Sequence, residues 1–327
     1  GALIWKNNID APSSFQSSIP AYGDGKLFVA TNGGQIYAFD ASTGERLWSV
    51  KPSTDRNFEC PLLYYDHRIY VGEGLAGDVG TKYYYCYDDL GNLIWKYGVE
   101  NTSGFIWGGA VVVGDYLVFP VFEGRLVSVY RNNGTVSDVV DLTDSSELSF
   151  ARSDLGMIRS SVTYNNGYIY STSENGRNVG YLFKTAFVDG KFLNAGWSTL
   201  IKFSTSTPVV YDGRVYVGNG GHGDPSGNLN CVNDADGSIV WSYEVYSGVK
   251  ASPAIAVADD GIFIYFAVSF GNDDKVFCID GEGNLVWEYD PPDDAYILQG
   301  CTLSIDAVYF GTNSGALYCL KNSGTIG

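Results

Sequence analysis

Few side chains in this sequence are suited to chemistry, and their spacing narrows the choice further. Only two histidines occur in 327 residues, His67 and His222, so a serine–histidine–aspartate relay or an imidazole-rich metal centre has little to build on. His67 stands where a turn would take glycine (Asp66-His67-Arg68) and reads as a turn residue. His222 lies in the glycine-rich stretch 220–227 and is a candidate binding-loop residue. The six cysteines form no C-x-x-C or C-x-x-C-H pattern, which removes support for zinc ribbons and c-type haem. The run 233–237 (Asn-Asp-Ala-Asp-Gly) echoes a calcium loop but lacks the downstream bidentate glutamate, so it reads as a turn with solvated carboxylates, and no residue is assigned to a metal. What remains is a set of dispersed residues, Glu59, Trp107, Arg159, Lys250 and Gln299, each just ahead of a segment that reads as a strand. Such a mixed-charge, partly aromatic rim suits contact with a peptide or a small molecule. No convergent acid–base set appears among them, and no catalytic residue is assigned.

The elements that must position these residues repeat along the chain. The clearest copy runs from Pro208 to Tyr243: strand a at 208–211, an Asp212-Gly213 hairpin turn, strand b at 214–218, a loop, strand c at 228–233, a turn at Asp236-Gly237, and strand d at 239–243. Asp-Gly between alternating apolar runs is a strong short-range hairpin signal. The closing tryptophans Trp5, Trp48 and Trp95, then Trp197, Trp241 and Trp287, recur at intervals of 43–47 residues, the length of a four-stranded propeller blade. No segment between the turns has helical apolar periodicity. The copies divide the chain into blades at 18–50, 59–97, 107–140, 159–198, 206–243, 251–289 and 299–327, the last completed by residues 1–6, whose Gly1-Ala2-Leu3-Ile4-Trp5 matches Gly91-Asn92-Leu93-Ile94-Trp95. The expected fold is one all-β domain over 1–327, a seven-bladed β-propeller of four-stranded antiparallel blades closed by its N-terminal strand. Cys86, Cys231, Cys278 and Cys319 share one strand-c slot with Ala38, a whole blade apart, and read as small buried packing residues rather than disulfide partners. Cys60 and Cys301 are placed in the strand-a slot of Ile19 and Thr207.

Composition agrees with that architecture. Gly numbers 41, Tyr 25 and Trp 7, and 45% of residues are hydrophobic, a turn-rich β composition with enough apolar surface for a core. The formal charge of −17 opposes binding to a phosphate backbone. No apolar run approaches the roughly 18 residues of a membrane span. The chain opens already patterned as structure and reads as a mature or excerpted segment. The longest linkers, 51–59, 72–81, 141–159, 173–180, 218–227 and 290–299, all fall between strands b and c or between blades. They are expected on one face, where a protein or glycan partner would bind.

The segment Ala38-Phe39-Asp40-Ala41-Ser42-Thr43-Gly44-Glu45-Arg46-Leu47-Trp48 resembles the tryptophan-docking motif A-x-D-x-x-T-G-x-x-x-W of the pyrroloquinoline-quinone (PQQ) dehydrogenase-like repeat family, and 231–241 keeps its spacing. In that motif Asp40 and Thr43 organise the c–d turn, Gly44 takes a positive φ, and Trp48 packs on the neighbouring blade, with Trp5, Trp95, Trp241 and Trp287 as its counterparts. The resemblance implies one of two functional kinds: quinoprotein dehydrogenases that use PQQ and calcium, or non-enzymatic scaffold propellers such as the outer-membrane assembly lipoprotein. Those relatives typically have eight blades against the seven counted here, and the adjacent cysteines of many dehydrogenases are absent. The expectation is accordingly a non-catalytic, extracytoplasmic or cell-surface binding scaffold without cofactor. A PQQ- and calcium-dependent dehydrogenase and a carbohydrate-binding or carbohydrate-active propeller are the alternatives.

Overall fold

A computed structural model describes residues 3–9, 18–52, 57–221, 224–259, 261–268, 274–293 and 295–321. Its secondary structure is entirely strand and turn, with no helix among the described residues. Seven antiparallel sheets follow one another along the chain, each a simple meander in which sequence neighbours pair. Blade 1 comprises Ala21–Gly23, Lys26–Ala30, Ile36–Asp40 and Arg46–Val50. Blade 5 comprises Val209–Tyr211, Arg214–Gly218, Gly227–Asn233 and Ile239–Val245, within two residues of the boundaries expected from the repeat. Six sheets have four strands, and the seventh (Thr302–Leu303, Ala307–Gly311, Leu317–Lys321) has three among the described residues. The fold is a seven-bladed β-propeller.

The pattern of burial explains the sequence pattern. Strand c of blade 1 reads Ile-Tyr-Ala-Phe-Asp and is buried at its first four residues, whereas strand d, Arg-Leu-Trp-Ser-Val, is half-buried or exposed throughout. Inner strands covered on both faces need continuous apolar runs, and outer strands need only one apolar side. The c–d pairing shifts register at one equivalent place in five blades: Ala38/Phe39, Cys86/Tyr87, Ser128/Val129, Cys231/Val232 and Cys278/Ile279. The residue before each bulge lies opposite the tryptophan position, with Ala38 facing Trp48, Cys86 facing Trp95, Cys231 facing Trp241 and Cys278 facing Trp287. A small side chain is needed there because cross-strand neighbours sit only about 5 Å apart. Burial pushes the Cys86 thiol up to about 12 and those of Cys231 and Cys278 to about 11. These thiols stay protonated near neutral pH and act as packing groups.

The chain divides into two compact units. The first contains 1–153, 157–167 and 186–194, and the second contains 154–156, 168–185 and 195–327. The core of the first unit includes Phe28, Tyr70, Tyr84, Phe105 and Phe119, with Tyr84 stacked on Phe119 at 4.2 Å between ring centroids. In the second unit Tyr216, Leu229, Ile264 and Phe266 form one cluster, and Tyr170, Leu182, Val215 and Val232 another.

The tryptophans join consecutive blades within each unit. The Trp48 indole N–H donates to the Asp89 carbonyl at 3.0 Å, Trp95 to Arg131 at 3.0 Å, Trp197 to Asp234 at 3.0 Å and Trp241 to Gly281 at 3.0 Å. Each acceptor lies in the c–d turn of the following blade. Trp5 behaves the same way, donating to Ala41 at 2.9 Å. Residues 3–9 carry no assigned strand, and Gly1 and Ala2 of the expected closing strand lie outside the described residues. The part of that strand's role visible here is the Trp5 docking contact. The motif glycine has a double duty: Gly44, Gly91, Gly134 and Gly283 have φ between +72° and +90°, and a Cβ there would lie 2.6–3.0 Å from the docking indole. Blade 3 departs from the pattern. Asp138 stands at the tryptophan position, opposite Ser128, and its carboxylate accepts the Phe192 N–H at 2.8 Å.

Several sequence expectations need correction. Cys319 is exposed, in the seventh blade, whose sheet has three strands among the described residues. Cys60 occupies the slot of Ser18 and Ser206, one residue from its expected place. Its Sγ accepts the Gly72 N–H at 3.0 Å just as Ser206 Oγ accepts that of Gly218 at 3.1 Å. The linker 72–81 is partly sheet, since Gly80–Asp88 and Leu93–Thr102 pair as far out as Gly80 with Thr102. The stretch 141–159 is turn-rich but not a loose loop, because Leu142, Leu148, Leu155 and Ile158 are buried in it.

The c–d turn of blade 1 yields a pH prediction. The Ser42 hydroxyl, the Thr43 N–H, the Thr43 hydroxyl and the Ser42 N–H all donate to Asp40 Oδ1 and hold its carboxyl down at about 2. An unfolded aspartate titrates near 3.9. The depressed folded value makes this contribution fully present above about pH 4 and lost as pH falls toward 2. Asp40→Asn should therefore flatten the acid limb of the melting temperature between about pH 2 and 4. An unchanged slope would show that the turn does not sense this proton.

Candidate functional site

Three of the expected rim residues come together in the first unit. Glu59, Trp107 and Arg159 each precede strand a of blades 2, 3 and 4. The Trp107 N–H donates to the Glu59 carbonyl at 3.1 Å, and the Arg159 guanidinium carbon lies 5.0 Å from the Trp107 ring centroid. That spacing is a cation–π contact, strengthened because a half-buried guanidinium is weakly hydrated. Phe122 adds a second aromatic surface 5.6 Å from the guanidinium, and Met157 Sδ lies 3.9 Å from Arg159 Nη2. Burial raises the Glu59 carboxyl above its ordinary range, and the charge of Arg159 offsets only part of that shift.

Local sequence explains the placement. Trp107 has φ +60°, a left-handed conformation rarely taken by a bulky residue, and the residue is 38% exposed. Behind it Gly108 and Gly109 let blade 3 run close against blade 4. A Cβ on Gly108 would be 3.0 Å from the Ser160 carbonyl oxygen, and the Gly109 N–H donates to Ser161 Oγ at 2.9 Å. Arg159 is set by the Ile158 N–H, which donates to the Phe122 carbonyl at 3.0 Å. Phe122 is not legible as a site residue from spacing, since it follows the end of strand b (Tyr116–Val121) instead of preceding strand a. Lys250 and Gln299 belong to the second unit. Lys250 is half-buried, with its carbonyl accepting Thr205 Oγ1 at 3.4 Å, and Gln299 is exposed. His222 lies outside the described residues.

The model of the family described as outer membrane protein assembly factor BamB matches residues 1–194 and 193–325. The chain belongs to this BamB family. It is 25% identical over 261 residues to the BamB of Yersinia pestis, covering 78% of this chain and 60% of that protein. The chain thus spans about 60% of the length of the curated BamB relatives it matches. Among solved structures, BamB from Moraxella catarrhalis superposes with a TM-score of 0.70 at 16% identity, over 94% of this chain and 84% of that one. The quinohemoprotein alcohol dehydrogenase of Comamonas testosteroni superposes with a TM-score of 0.68 at 11% identity, over 90% and 62%. Both likenesses establish the shared fold.

The fold is shared with a quinohemoprotein alcohol dehydrogenase, so the fit of the PQQ group implied by the repeat resemblance matters. A planar quinone needs aromatic faces to lie between and carboxylate oxygens to share with calcium. In the first unit one face of Trp107 is covered by Arg159, and Glu59 is the one carboxylate of the cluster. These residues do not fit the group.

Proposed function

We propose that this chain is a non-catalytic scaffold that acts outside the cytoplasm in outer-membrane protein assembly, and that it engages a protein partner through the edge carrying Glu59, Trp107 and Arg159. The observation that supports this most is the cluster itself. A strained, exposed tryptophan is stacked by an arginine at a point where no described residue completes an acid–base or nucleophilic set. Aromatic and arginine side chains held rigid at the centre of a patch are what binding hot spots are made of. The name of the matched family supplies the assembly role, and its curated members are longer than this chain. No helix among the described residues is long and apolar enough to cross a membrane.

The test is affinity capture of envelope proteins from detergent-solubilised membranes of the source organism. The intact chain is expected to retain an outer-membrane assembly component, and Trp107→Ala combined with Arg159→Glu to lower that retention at least tenfold with the melting temperature preserved. Retention unaffected by the double substitution would remove the partner from this edge. Surface substitutions are preferred to deleting 141–159, because that stretch carries buried leucines. In parallel, the protein incubated with PQQ and calcium should show neither quinone absorbance after gel filtration nor dye-linked alcohol oxidation. Turnover in that assay would return the chain to the dehydrogenases.

A further inference from the structure

A second cluster lies in the first unit, among the turns of blades 1 and 2, and plays no part in the reading above. Asp24 comes from the a–b turn of blade 1, His67 from the a–b turn of blade 2, and Asp89 from the c–d turn of blade 2. His67 Nδ1 is 3.0 Å from Asp24 Oδ2 and 3.3 Å from Asp89 Oδ2, and the three donor atoms all lie within 4.8 Å of one another. We propose that Asp24, His67 and Asp89 form a binding site for a zinc-class divalent transition-metal ion, with water completing the coordination shell.

The two imidazole–carboxylate distances match edges of a coordination polyhedron. Metal–nitrogen and metal–oxygen bonds of about 2.0–2.2 Å give ligand–ligand edges of roughly 2.9 Å in an octahedron and 3.4 Å in a tetrahedron. Both measured imidazole–carboxylate separations fall in that interval. One imidazole and two carboxylates, with no thiolate, select a borderline ion of the zinc type over a soft one. The frame is already in place. The Asp89 N–H donates to the His67 carbonyl at 3.0 Å, the Trp48 indole holds the Asp89 carbonyl at 3.0 Å, and the Tyr64 hydroxyl donates to Asp24 Oδ2 at 2.7 Å. Holding the ligands through neighbouring donors is how protein metal sites fix ligand orientation.

The identity of residue 67 points the same way. The corresponding turn positions in blades 1 and 5 are Gly25 and Gly213, at φ +73° and +69°, and His67 adopts φ +57°. Histidine there accepts a backbone conformation that glycine would take without strain. The imidazole is set between two carboxylates of neighbouring turns. Lys26 Nζ, 2.8 Å from Asp89 Oδ2, is the competing cation, and an incoming metal ion must displace it from that oxygen.

Isothermal titration of the full chain with zinc ion in chelator-free buffer is expected to show one equivalent bound. His67→Gly suits the turn and removes the ligand, so it should keep or raise the metal-free melting temperature while lowering affinity at least tenfold. Asp24→Asn should weaken binding comparably, Lys26→Met should tighten it, and His222→Gln should leave it unchanged. Zinc should raise the melting temperature of the wild type but not of His67→Gly, because only the native state assembles the site. The imidazole resonances of His67 should shift on zinc addition. Zinc binding equal in wild type and His67→Gly, or His67 resonances unmoved by zinc, would overturn the proposal and leave an imidazole–carboxylate contact alone.

Discussion

Trp95→Ala is expected to destabilise the protein by about 3–5 kcal/mol, the range for emptying a buried large aromatic site. Trp95 is 7% exposed, packs 6.0 Å from Tyr70 within blade 2, and reaches the c–d turn of blade 3. Two effects could carry the loss, the cavity and the orphaned Arg131 carbonyl. Their sizes decide between them. The carbonyl keeps a donor, since Arg68 Nη1 bonds it at 2.7 Å, so the unsatisfied-acceptor cost of roughly 1–3 kcal/mol is largely avoided. The cavity therefore dominates, and Trp95→Phe should recover much of the loss despite lacking the N–H. Leu93→Ala, two residues away on the same strand and 50% exposed, should change stability by less than about 1 kcal/mol. Urea unfolding monitored by circular dichroism gives all three values. A Trp95→Ala loss no larger than that of Leu93→Ala would mean that docking does not hold blades 2 and 3 together.

Much of this architecture can be read from spacing alone. The Asp212-Gly213 turn and the run Arg214–Gly218 are found where the repeat puts them, because hairpin chemistry is local and each blade restates it. What spacing does not carry is the partner of each element. The outer ends of Gly80–Asp88 and Leu93–Thr102 fall outside the expected strands, the first in the linker 72–81 and the second beyond the blade end at 97, since Gly80, Thr81 and Thr102 are not apolar. They pair because the two ends lie opposite each other. Cys60 sits one residue from its expected slot for a similar reason. Its slot is defined by the hydrogen bond from the Gly72 N–H, which no count of residues reveals. The stretch 141–159 reads as a loop because turn formers such as Asp141, Asp144, Ser145, Ser146, Ser153, Asp154 and Gly156 interrupt its six buried apolar residues.

The candidate site divides in the same manner. Position relative to strand a singles out Glu59, Trp107 and Arg159 together with Lys250 and Gln299, and the structure brings the first three into contact within one unit. Phe122 and Met157 escape that selection because they join the cluster through a bend after strand b and a residue two places before Arg159. His67 reads as a turn residue, and it is one, with φ +57°. Its nearness to Asp24 depends on blade 1 lying beside blade 2 and has no signature in the local sequence.

Gly134→Ala tests the other half of the docking contact and should cost about 2–5 kcal/mol. Two components add. A non-glycine residue at φ +72° costs about 1–2 kcal/mol, and a Cβ placed 2.7 Å from Trp95 Cδ2 forces an overpacking cost of about 1–3 kcal/mol. A double-mutant cycle separates them. In the Trp95→Ala background the indole is gone, so the added methyl meets space and only the backbone component survives. The cost of Gly134→Ala should then fall to about 1–2 kcal/mol, with a coupling of about 1–3 kcal/mol between the two sites. The cycle decides why glycine stands at this turn. Full additivity would mean that the backbone conformation alone requires it, and that the indole of the preceding blade could tolerate a side chain beneath it.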